Sequence, residues 1–160
     1  MKKIAVFSTV AGLVVVGLAF SFLQGDAAAA SKIVVNKTAT CGCCGSWVEH
    51  LKAAGFDVEV NDMSQANLNS VKSQHGIDRK YWSCHTAEIN GYLIEGHVPA
   101  EQIVRMLAEQ PDFAGLSVPG MPAGSPGMEM ADPSMHQSFD VLAFNKDGSS
   151  RVYHHVDAGD

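Results

Sequence analysis

Residues 32–60 read KIVVNKTATCGCCGSWVEHLKAAGFDVEV, and the fold turns on this stretch. Lys32–Asn36 is a short apolar run with β-branched residues, which predicts a buried strand. Lys37–Thr40 is a polar connection into Cys41-Gly42-Cys43-Cys44. From Cys44 onward Trp47, Val48, Leu51 and Ala54 recur at helical spacing, and Gly55 supplies the stop. Phe56–Val60 then alternates apolar and acidic residues, the pattern of a second strand. Strand, helix and strand at these lengths make a parallel pair with a right-handed helical crossover.

Downstream, Asp62 or Ser64 caps a helix reaching about His75, with Leu68, Val71 and Met63 as its inward positions. Thr86–Glu95 holds two strand-like runs around Asn90-Gly91, a strong type I′ hairpin signal. Pro99 opens a further helix, with an apolar stripe of Ile103, Val104, Met106 and Leu107. Phe139–Phe144 and Arg151–Val156 read as a terminal hairpin turning near Asp147-Gly148. The expected architecture is therefore α/β and thioredoxin-like, in the order β-α-β-α-β-β-α over residues 31–112. Residues 113–160 form a C-terminal extension, a Met/Pro/Gly-rich loop plus a terminal β-hairpin, packed on the same domain. A C-x-x-C that follows the first strand and opens the first helix is where this plan keeps a redox motif.

Upstream, residues 1–30 have the layout of an export signal: Lys2 and Lys3, an apolar run Ile4–Leu23, and Ala27–Ala30 for cleavage. If uncleaved, the apolar run is long enough to anchor the chain in a membrane. The cleaved domain is expected in the periplasm, an oxidising compartment. The 160 residues carry a net charge of −6, and removing residues 1–30 leaves nine basic against sixteen acidic residues. Such a domain lacks the basic patch that nucleic-acid binding requires.

Four cysteines in an exported domain ordinarily suggest two disulfides. Here three crowd into Cys41-Gly42-Cys43-Cys44 and the fourth, Cys84, stands apart. A Cys41–Cys44 loop with a Cys43–Cys84 bridge fits that count, but a domain of this size does not need staples. The expected topology brings the segment containing Cys84 beside the C-x-x-C loop, so four thiols converge at one helix N-terminus. The helix dipole favours thiolates there, yet several thiolates together need a disulfide or a cation to neutralise them. Cu(I) prefers thiolate and thioether ligands. Adjacent Cys43 and Cys44 suit thiolates that bridge several metal ions, whereas structural zinc usually draws its cysteines from two separated pairs. Four of the seven methionines fall within Met121–Met135, a segment without helical periodicity, followed by His136. His97, between the hairpin and the last helix, is a candidate ligand, and His85 adjoins Cys84. His50 and His75 read as solvated.

These residues resemble a family of exported bacterial proteins known mainly as predicted metal-binding proteins, which includes the copper-resistance protein CopG. The resemblance rests on Cys41-Gly42-Cys43-Cys44-Gly45 with Trp47-Val48-Glu49-His50-Leu51, and on Ser83-Cys84-His85-Thr86. It continues in Ile94-Glu95-Gly96-His97-Val98-Pro99-Ala100 and in Gly115-Leu116-Ser117-Val118-Pro119-Gly120-Met121-Pro122, running into Gly124-Ser125-Pro126-Gly127-Met128-Glu129. It implies a copper site in periplasmic copper resistance, with Cys41, Cys43, Cys44 and Cys84 as thiolate ligands of a polynuclear Cu(I) cluster. It also implies His97, Met121 and Met128 as outer or auxiliary ligands, Cu(I)/Cu(II) redox chemistry, and other periplasmic copper-handling proteins as partners. Two other functions stay open on the residues: a thiol–disulfide oxidoreductase using Cys41 and Cys44, and a non-catalytic copper chaperone or storage module.

Overall fold

A computed structural model describes residues 32–158; the expected export signal lies outside the described residues. The elements run β1 (Lys32–Thr38), α1 (Gly42–Ala53), β2 (Asp57–Met63), α2 (Gln65–Gln74), β3 (Thr86–Ile89), β4 (Tyr92–Glu95), α3 (Ala100–Glu109), β5 (Gly115–Ser117), β6 (Phe139–Phe144) and β7 (Ser150–Val156). The chain is thus mixed α/β. Its seven strands form one sheet in the order β2-β1-β3-β4-β5-β6-β7. No helix among the described residues is long and apolar enough to cross a membrane.

Local signals explain most boundaries. Ser64 accepts a hydrogen bond from the Asn67 amide and so caps α2. Gly55, at φ +93°, takes the left-handed conformation that ends α1. Asn90 and Gly91 both sit at positive φ, as the tight turn between β3 and β4 demands. β1 and β2 pair in parallel from Lys32↔Asp57 to Thr38↔Met63, and β3 and β4 add antiparallel strands beside β1.

The alternation of side chains along the strands divides the core between the two faces of the sheet. Ile94 of β4 joins Ile33, Val35, Trp47, Leu51, Ile103, Met106 and Leu116 under α1 and α3. Its neighbour Leu93 faces the other way, toward Ile77, Tyr81 and Phe144. Each of these large side chains is worth about 1.5–3 kcal/mol when fully buried.

Three features differ from the sequence reading. β5 is absent from it, because three residues are too short to show a period; the strand exists through its pairing with β4 on one side and β6 on the other. α2 is turned so that Lys72 is buried while Val71 is only half-buried. Pro99 stands at the N-cap of α3, one residue before the helix, and Ala100 begins it.

Candidate metal centre

The centre forms where β1 hands over to α1. Cys41 occupies the N-cap of α1, and Cys43 and Cys44 lie in its first turn. The Trp47 indole donates to the Val98 carbonyl at 2.8 Å, which locks α1 to the loop before α3. That loop carries His97. The segment that carries Cys84 leads into β3.

The ligand atoms of Cys41, Cys43, Cys44 and Cys84 all lie within 4.8 Å of one another. In this state Cys41 and Cys44 are joined as a disulfide, with their Cα atoms 5.3 Å apart, while Cys43 and Cys84 are free thiols. The disulfide is one of the two ways of neutralising the converging sulfurs that the sequence leaves open. The turn from the N-cap into α1 sets the two residues at ordinary disulfide separation. Cys43 Sγ stands 3.5 Å from Cys41 Sγ, beside the bridge.

Cys84 is the junction with a second group. Its Sγ lies 3.2 Å from His85 Nδ1 and 3.0 Å from His97 Nε2. Both imidazoles are fully buried, meeting edge to face with centroids 5.0 Å apart, and His85 also lies 4.3 Å from the Trp47 ring. Burial pushes both histidines below their ordinary range, His85 much the further, so they are neutral donors near pH 7. Burial, reinforced by charge on Cys43, pushes the Cys84 thiol up to about 12. A neutral thiol is the cheaper form of Cys84 until a cation offsets the cost of its negative charge.

Behind Cys84 sits a buried ion pair. Lys72 contacts Glu95, and both side chains are essentially inaccessible to water. The Lys72 ammonium also donates to the Ser83 and His85 carbonyls, and Glu95 Oε1 accepts from the Ser83 amide at 2.7 Å. Those bonds hold the backbone on both sides of Cys84. Burial pushes Lys72 down and Glu95 up, and their mutual attraction opposes both shifts.

The Met-rich segment covers the centre. The Pro126 carbonyl accepts from His97 Nδ1 at 2.8 Å. Gly127 lies so close to α1 that a Cβ there would stand 2.7 Å from the Trp47 amide nitrogen and 2.8 Å from the Cys43 carbonyl oxygen. Ser83 Oγ donates to the Gly120 carbonyl. Met128 is half-buried in this cover and Met121 is 54 % exposed.

Two solved structures described as "Copper resistance protein copG", Form 1 and Form 2, share 40% sequence identity with the chain. Each covers 79% of it, and the matched region is 97% and 98% of their own lengths, with TM-scores of 0.72 and 0.70. The chain belongs to the CopG family. Residues 81–128 also match a family described as "Protein of unknown function, DUF411". No curated protein matches the chain.

The DUF411 match begins just before Cys84, spans His85 and His97, and ends at Met128, so it takes in the second ligand group and its cover. In this CopG relative the donor set fits a soft or borderline metal: four sulfurs, two neutral imidazoles, and no carboxylate in either cluster. Sequence reasoning missed Lys72 and Glu95 and gave His85 little weight. It also took His50 as solvated, whereas His50 Nε2 accepts from the Ala100 amide and caps α3. The roles of Lys72, Glu95 and His50 each depend on a partner distant in sequence.

Proposed function

We propose that this protein binds copper through Cys41, Cys43, Cys44 and Cys84 and works in copper resistance in the periplasm, exchanging copper between Cu(I) and Cu(II). The observation that carries the reading is the convergence of four sulfur ligand atoms within 4.8 Å. The two CopG structures support it, since both are described as copper resistance proteins. The order β2-β1-β3-β4 beside α1 supports a thioredoxin-like plan for residues 32–109. We take residues 1–30 to be an export signal that is removed on export, and the cover formed by residues 120–128 to supply Met121 and Met128 as auxiliary thioethers.

Copper supplies one-electron chemistry, and the chain's residues set its terms. Reduced Cys41 and Cys44 give two thiolates at the positive end of α1, where unsatisfied amides lower the cost of their charge. Closing them to the disulfide would release two electrons, the number needed to take two Cu(II) to two Cu(I). Reopening the disulfide requires two electrons from a reductant outside the chain. Cys43 and Cys84 remain free thiols through that change, half-buried beneath the cover.

The Cys41–Cys44 disulfide itself favours a second reading, thiol–disulfide exchange with Cys41 as the attacking sulfur. Copper content per chain after anaerobic reduction and copper loading separates the two. More than one copper per chain, with thiols recovered only after metal removal, supports the cluster. No bound copper, together with full exchange activity in Cys43→Ser and Cys84→Ser, supports the exchanger.

A further inference from the structure

Cys84 belongs to two overlapping groups, and only one of them is altered by the disulfide. The first is the four-cysteine set, two of whose sulfurs are bonded to each other in this state. The second is Cys84, His85 and His97, whose ligand atoms lie within 4.8 Å of one another and include neither Cys41 nor Cys44.

The second group is arranged for coordination. A carbonyl oxygen can only accept, so the contact between Pro126 and His97 Nδ1 places the proton on Nδ1. The Nε2 lone pair is then left facing Cys84 Sγ at 3.0 Å. This is the arrangement in which an outer backbone carbonyl fixes the tautomer and aim of a metal-binding histidine. His85 presents Nδ1 to the same sulfur at 3.2 Å, and its Nε2 has no hydrogen-bond partner, so nothing else commits that ring to the opposite tautomer. Around a tetrahedral ion, metal–sulfur and metal–nitrogen bonds of about 2.3 and 2.0–2.1 Å separate sulfur from nitrogen by about 3.5 Å. The observed 3.0 and 3.2 Å need to open by only a few tenths of an ångström.

We infer that Cys84 Sγ, His85 Nδ1 and His97 Nε2 form a one-ion site for a divalent borderline cation, and that this site stays usable while Cys41 and Cys44 are joined as a disulfide. One thiolate and two imidazoles are the ligand types that Cu(II) and Zn(II) accept, in contrast to the all-sulfur preference of Cu(I). Binding replaces the Cys84 thiol proton with the cation and needs no electron. The inference rests on the proposed copper function for its biological cation. In that setting the oxidised chain retains one Cu(II) at Cys84 after the four-sulfur set has lost two of its ligands.

The test uses the full chain in its disulfide form, kept anaerobic so that Cys43 and Cys84 remain thiols, and titrated with Co(II), which does not oxidise them. The expected result is one Co(II) per chain, with sulfur-to-cobalt charge-transfer absorption, equally in wild type and in Cys41→Ser/Cys44→Ser. His97→Ala and His85→Gln should each weaken binding by more than the 10–100-fold typical of losing an outer partner. X-ray absorption on the cobalt-loaded wild type needs no variant to fold, and should count imidazole nitrogens alongside sulfur. No uptake by the disulfide form, undiminished uptake in His97→Ala, or sulfur ligation without imidazole would each overturn the inference. Failure of the copper function is read separately, from copper content of the reduced chain, so the two failures do not look alike.

Discussion

Lys72→Met removes the cation from the buried pair behind Cys84 and leaves three groups to be resettled. The Glu95 carboxylate loses the ammonium and keeps the Ser83 amide, and the Ser83 and His85 carbonyls lose their ammonium donor. Breaking one side of a buried ion pair costs about 3–5 kcal/mol, because the remaining charge is stranded in a poorly polarisable interior. That is a large part of a domain stability of about 5–15 kcal/mol. At about 2–4 °C per kcal/mol for a chain of this size, the melting temperature should fall by about 6–20 °C. Glu95 is already pushed up by burial, and losing Lys72 raises it further. A raised folded value means that its stabilising contribution is complete below the unfolded carboxyl value near 4.3 and is lost as pH rises through the folded value. The variant should therefore be least impaired in acid and increasingly impaired as pH rises. Lys72→Met/Glu95→Met should recover much of the loss, since both shifts have burial as their largest cause and a well-packed apolar pair escapes it. Urea unfolding followed by circular dichroism at several pH values measures all of this. A loss below about 1 kcal/mol, or a double variant no better than the single one, would refute the reasoning.

Other outcomes follow from single contacts. Gly127→Ala combines positive φ with a Cβ pressed against the Trp47 and Cys43 backbone, so it should lift the cover off α1 and speed alkylation of Cys43; an unchanged alkylation rate contradicts the placement. Ile103→Ala empties a fully buried position and should cost about 2–5 kcal/mol in denaturant unfolding. His155, raised by its hydrogen bond to Asp140, contributes stability that is complete below about pH 6.5 and disappears as pH rises through its folded value. Asp140→Asn should therefore lower the melting temperature at pH 5.5 and leave it nearly unchanged at pH 8.5.

Legibility in the sequence tracked the range of each signal. The Ser64 cap, Gly55 stop and Asn90-Gly91 turn act within a few residues, and the elements they delimit could be read directly. β5 could not, because Gly115–Ser117 becomes a strand only between β4 and β6. The inward turn of Lys72 reflects Glu95, 23 residues away, and a charged residue beside an apolar one does not announce burial. The crowding of Cys41, Cys43 and Cys44 was legible as chemistry. Its oxidation state was not, since the same spacing serves a disulfide and a pair of thiolate ligands. His97 stood out by its place before Pro99, while the aim of its Nε2 comes from Pro126, 29 residues downstream.

The central claim is that four sulfurs act together on copper. Its most direct test is copper per chain by elemental analysis after anaerobic reduction and loading, on wild type and Cys84→Ser, with thiols titrated before and after the metal is stripped. The account predicts more than one copper per wild-type chain, all four thiols masked until stripping, and a lower stoichiometry in Cys84→Ser. One copper or none in wild type, or the same stoichiometry in Cys84→Ser, would contradict it.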